Sequence, residues 1–125
     1  MAGKGRQDLR VRTKEFALRV VRLFSSLPNS TAAQVLGKQV LRSGTSVGAH
    51  YREAFRGRSK AEYISKIEVA LQEVDETAYW LELLGDSGIV KTARLAALRT
   101  EAEELASIFA ACSRSAKTRR EEGSR

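Results

Sequence analysis

The sequence predicts an all-α protein, an up-down-up-down four-helix bundle, on three observations. Four stretches repeat apolar residues at helical spacing, short turn-forming connections separate them, and no stretch alternates with period two over strand length. At 125 residues the chain is sized for one domain.

The first element spans about 8–27, with Leu9, Phe16, Val20, Leu23 and Leu27 on one face, and Pro28 stops it. Thr31-Ala-Ala-Gln34 reads as a capping box for a second element reaching about Arg56. There Ala33, Leu36, Val40, Val47, Tyr51 and Ala54 share a face with Gly44. Gly44 and Gly48 each weaken a helix by about 1 kcal/mol relative to alanine. The apolar phase is nevertheless the same on both sides of them, which predicts one continuous helix that another approaches closely. Ser59-Lys-Ala-Glu62 is a second capping box. It opens a heptad seam of Ile64, Ile67, Leu71, Val74, Ala78 and Leu81, ended by Gly85-Asp-Ser-Gly88. The fourth element repeats that spacing in Leu95, Leu98, Ala102, Leu105, Phe109 and Cys112. The expected organisation is a flexible basic N-terminus over 1–7, a bundle over 8–112, and a polar, frayed tail over 113–125.

No apolar run approaches the roughly 18 residues of a membrane-spanning helix, so no membrane partner is expected. The basic start leads into no apolar stretch, and a single cysteine, Cys112, cannot close an intrachain disulfide. The expected location is cytoplasmic. The net charge of +7 is unevenly spread. Residues 1–60 hold 13 basic residues against three acids, 61–112 hold four against ten, and 113–125 five against two. A basic first half implies either a polyanionic partner or a partner surface like the chain's own acidic half.

Two groups of residues are left over once the core is filled. Val11 and Leu18 on the first helix, and Val69, Trp80 and Leu83 on the third, point away from the core faces. Such stripes predict self-association, with Trp80 as anchor and the basic first helix against a neighbour's acidic third. Gln39, Ser43, Ser46, His50 and Glu53 form a polar stripe beside the core face of the second helix. It reads as a hydrogen-bonded register between helices or as a lined pocket. An enzyme would need His50 oriented by Glu53, with Ser43 or Ser46 as nucleophile, but no glycine-rich elbow accompanies them. One histidine and one cysteine cannot supply a zinc site, and no phosphate-binding loop is present. No catalytic residue, metal or cofactor is therefore expected.

Three stretches carry a family resemblance: Arg42-Ser-Gly-Thr-Ser-Val-Gly-Ala-His-Tyr-Arg-Glu-Ala54, Arg58-Ser-Lys-Ala-Glu-Tyr-Ile64 and Glu76-Thr-Ala-Tyr-Trp-Leu-Glu-Leu-Leu84. Over about 8–112 the chain resembles the bacterial four-helix bundle proteins encoded in intervening sequences of large-subunit ribosomal RNA genes. These are structurally related to the accessory variability determinant of diversity-generating retroelements. His50 is a departure, since the family more often has asparagine there. The resemblance implies a homopentameric ring and, for the accessory relatives, a basic surface contacting nucleic acid and a reverse transcriptase. Candidate phosphate contacts are Arg12, Arg19 and Arg22 on one side of the first helix, with Arg10, Arg52, Arg56, Arg58 and Lys60 in support. The leading expectation is a non-enzymatic oligomer that binds nucleic acid, RNA favoured over DNA. Against it stands pairing of these arginines with third-helix acids between subunits, and the alternative function is an adaptor ring for a protein such as a reverse transcriptase.

Overall fold

A computed structural model describes the backbone of residues 2–123 and the side chains of 9–119. Four helices follow one another: α1 (Ala2–Ser25), α2 (Thr31–Ala54), α3 (Lys60–Asp86) and α4 (Thr92–Gly123), with no strand among the described residues. Each connection is five residues long, which returns each helix antiparallel to its predecessor. No helix among the described residues is long and apolar enough to cross a membrane.

Local chemistry sets the helix starts. Ser59 caps α3, its hydroxyl accepting from the Glu62 N–H at 3.2 Å, while the Glu62 carboxylate accepts from the Arg58 N–H. The cap of α2 is Ser30 rather than the expected Thr31, accepting from the Ala33 N–H at 3.3 Å. Gln34 instead donates its side-chain amide to the Pro28 carbonyl at 2.9 Å, tying the connection to the first turn. At the other end of α3, Gly88 takes a φ of +78°, a conformation costly for residues with a Cβ, and the Val90 N–H reaches the Leu84 carbonyl at 3.1 Å.

The core runs along all four helices, with Phe16, Tyr51, Ile67, Leu81, Leu105 and Phe109 buried at its centre. On α3 the buried line passes through Ile67, Ala70, Val74, Thr77, Leu81 and Leu84, so the expected seam positions Leu71 and Ala78 sit half-buried at its edge. The fourth helix extends past residue 113, where a frayed tail was expected, to Gly123, and Ser113 and Ala116 are buried. Small side chains hid this extension, because apolar periodicity registers large residues. At the other terminus α1 begins at Ala2, inside the span expected to be flexible.

The neighbours of α1 are unequal. Its backbone runs closer to α2 than to α4, which it meets through longer side chains such as Arg12. Its approach to α2 is close: a Cβ on Gly44 would stand 2.8 Å from Val20 Cγ2, and one on Gly48 2.9 Å from Thr13 Oγ1. As expected, α2 is continuous through both glycines. Alanine at position 44 gains about 1 kcal/mol of helix propensity but overpacks against a branched side chain, at a cost of about 1–3 kcal/mol. Gly44→Ala therefore lowers the urea midpoint. Gly85→Ala, whose Cβ would meet nothing nearer than 3.4 Å, raises it. Equal rises in both variants would contradict the close approach.

Candidate nucleic-acid interface

The α1–α4 seam separates the expected phosphate contacts into two kinds. Arg12 turns onto α4 and grips Glu101 with two hydrogen bonds, from Nε at 3.1 Å and Nη2 at 2.6 Å, with Glu104 3.9 Å away. Both partners are largely shielded, at 26% and 17% side-chain exposure, so Arg12 is committed within the fold. This ion pair sets Arg12 apart from the other expected phosphate contacts. Farther along the same face, Arg19 and Arg22 meet Arg94 of α4 around a cleft of about 250 Å³ floored by Leu23, Leu95 and Leu98.

The other cations lie apart from that cleft. Arg52 joins Lys14 over a shallow groove between α1 and α2, and Arg10 and Arg56 are exposed. Arg58 and Lys60 line a cleft of about 450 Å³ where the α2–α3 connection meets the end of α4, together with Arg119, Phe55 and Tyr63. Phe55 packs edge-on against Tyr51 (5.0 Å between ring centres) and Tyr63 (5.7 Å), and is 36% exposed. Two aromatics flank these cations in the chain. The order aromatic, three cations, aromatic across residues 55–63 is the sequence signal of this cleft; Arg119, from the far end of the chain, gives none.

The acids of α3 are partly neutralised within the chain. Arg42 of α2 reaches Glu76 at 2.7 Å and Glu73 at 3.3 Å, and Lys117 of α4 reaches Glu68 at 3.1 Å. Hydrogen bonding to Glu76, more than charge, holds the Arg42 pKa above its usual value. The polar stripe of α2 faces α3 in part. The Thr77 hydroxyl lies 2.8 Å from the buried Ser43 hydroxyl, which donates to the Gln39 carbonyl at 2.9 Å. Ser46 donates to the Arg42 carbonyl at 2.7 Å. The Glu53 carboxylate sits 2.8 Å from Lys66 and 3.6 Å from His50 Nδ1, and the hydrogen bond from Lys66 holds its pKa below the usual carboxylate range. The contacts of Ser43 with Thr77, Arg42 with Glu73 and Glu76, and Glu53 with Lys66 fix the register of α2 on α3; neither serine hydroxyl bonds to His50. Half-buried Cys112 has its thiol pKa raised by desolvation. Among the described residues, no group of three or more acidic, histidine or cysteine side chains could hold a metal.

The expected apolar surface is present on α1 and displaced on α3. Val11 is 59% exposed and Leu18 40%, joined by Val21. Val69, Trp80 and Leu83 are half-buried, with Trp80 against the chain's own core and its Nε1 shielded without a partner among the described residues. The exposed aromatic of α3 is Tyr79, stacked edge-on against Trp80 at 5.0 Å.

A basic, antiparallel four-helix bundle with its cations grouped around clefts at the helix seams is the class these features define. The chain belongs to the 23S rRNA-intervening sequence protein family, whose family model matches residues 7–111. It is similar to a protein of unknown function from the S23 ribosomal protein family of Bacteroides thetaiotaomicron VPI-5482. The two are 36% identical, and the crystal structure of that protein matches with a TM-score of 0.79 over 84% of this chain and 97% of that one. No curated protein matches the chain.

Proposed function

We propose that the protein is a non-enzymatic, cytoplasmic nucleic-acid-binding bundle, RNA favoured, that works as a homo-oligomeric ring. One observation carries the binding: of the eight expected contacts, only Arg12 forms an ion pair among the described residues. Arg10, Arg19, Arg22, Arg52, Arg56, Arg58 and Lys60 form none with any described residue. The competing scheme pairs these cations with a neighbour's α3, where Glu68, Glu73 and Glu76 already have partners in their own chain and Asp75, Glu82 and Asp86 are left for it among the described residues. Cations left solvated at spaced positions attract phosphates largely without regard to sequence, by releasing condensed counterions. Family membership favours RNA through its genetic setting. Exposed Val11, Leu18 and Val21 support self-association, and the resemblance to the accessory variability determinant favours five copies.

Binding of a short labelled RNA falls steeply as salt rises. Arg19→Gln with Arg22→Gln flattens the slope of log K against log salt by about 0.7–0.9 for each phosphate no longer neutralised. Arg12→Gln lowers thermal stability and leaves that slope unchanged. No binding at about 50 mM salt would refute the proposal. In light scattering, Leu18→Glu shifts the wild-type oligomer toward a single chain; a wild-type protein already monomeric at high concentration would refute the ring.

A further inference from the structure

The cleft at the α2–α3 connection differs from the other basic sites in containing aromatic rings. Its walls come from the end of α2 (Phe55), the connection (Arg58), the first turn of α3 (Lys60 and Tyr63) and the far end of α4 (Arg119). Its volume of about 450 Å³ lies within the range of small-ligand clefts. Arg58, Lys60 and Arg119 are exposed, and none forms an ion pair with a described residue. The nearby carboxylate of Glu62 is engaged by the backbone N–H of Arg58. The start of α3 adds the positive end of a 27-residue helix.

We infer that this cleft holds an unpaired nucleotide, with its base against the Phe55–Tyr63 ring pair and its flanking phosphates on Arg58, Lys60 and Arg119. This rests on the nucleic-acid reading above and narrows it to single strands. Cations alone serve a duplex as well as a single strand. An aromatic wall contributes only to a base that has left its stack, because a paired base has both faces covered by its neighbours. Phe55 packs on Tyr51 and Tyr63, and its remaining exposed third lines the same cleft as the three cations. Stacking and phosphate pairing do not read the sugar, so RNA and DNA strands both fit.

The test measures binding of oligouridine, oligothymidine and a duplex, each about ten nucleotides long, at low salt by fluorescence anisotropy. Phe55→Leu keeps the apolar packing on Tyr51 but removes the ring. It weakens both single strands about fivefold or more, leaves the duplex unchanged and leaves the salt slope intact. Arg58→Gln with Arg119→Gln lowers the single-strand slope by about 0.7 for each phosphate released. Unchanged single-strand affinity in Phe55→Leu, or an equal weakening for strand and duplex, overturns the inference while leaving general nucleic-acid binding in place. Wild-type protein that binds none of the three probes overturns both. Should Phe55→Leu melt at a markedly lower temperature, the arginine pair decides: single-strand binding with an unaltered slope would overturn the site.

Discussion

The fold depends on how closely α1 can lie on α2. The Val11–Leu18 surface is placed by this interface, and the Arg19–Arg22 cleft by this interface together with the α1–α4 seam, whose backbones lie farther apart. At Gly44 and Gly48 the missing side chains let Val20 and Thr13 sit against the backbone of α2. The buried Thr13 hydroxyl donates to the Leu9 carbonyl at 2.7 Å, so this polar group enters the seam already satisfied. Two glycines in the middle of a helix weaken it in isolation, but here that weakening is offset by dispersion between helices that a methyl group would push apart.

Charge is then allocated by position. Cations facing a neighbouring helix pair across the seam: Arg12 to α4, Arg42 and Lys66 between α2 and α3, and Lys117 back to α3. Most of these pairs are exposed, and exposed pairs contribute little to stability. Their effect is to fix register and to occupy Glu53, Glu68, Glu73, Glu76 and Glu101. Other cations, Arg19, Arg22 and Arg94 in one group and Arg58, Lys60 and Arg119 in another, surround clefts instead. The same composition thus supplies both the fastening of the bundle and its attraction for polyanions, and only three-dimensional placement separates the two roles.

The sequence showed the helices well because large apolar residues mark a face: Phe16, Val20, Tyr51, Leu105 and Phe109 are all buried as their spacing required. It was less informative where small or polar residues carry the structure. Ala70 and Thr77 draw the buried line of α3 away from Leu71 and Ala78, and Ser113 and Ala116 extend α4 beyond its last large side chain. The cap of α2 moved one residue because Thr31 and Ser30 are chemically equivalent candidates. Of the site, residue identities were legible but partners were not. Nothing local to Arg12 distinguishes it from Arg19, and its partner Glu101 lies 89 residues away. The Phe55 cleft stayed hidden for the same reason, since Arg119 reaches it only through the packing of α4 on α3.

Native-state hydrogen exchange at the α1 amides between Thr13 and Val20 tests the placement of α1 most directly. A helix seated against the glycines of α2 opens only with the whole domain, so these amides exchange as slowly as those around Val74 of α3. Exchange orders of magnitude faster than α3, as in a helix that detaches on its own, would contradict the account and release the surfaces that α1 presents.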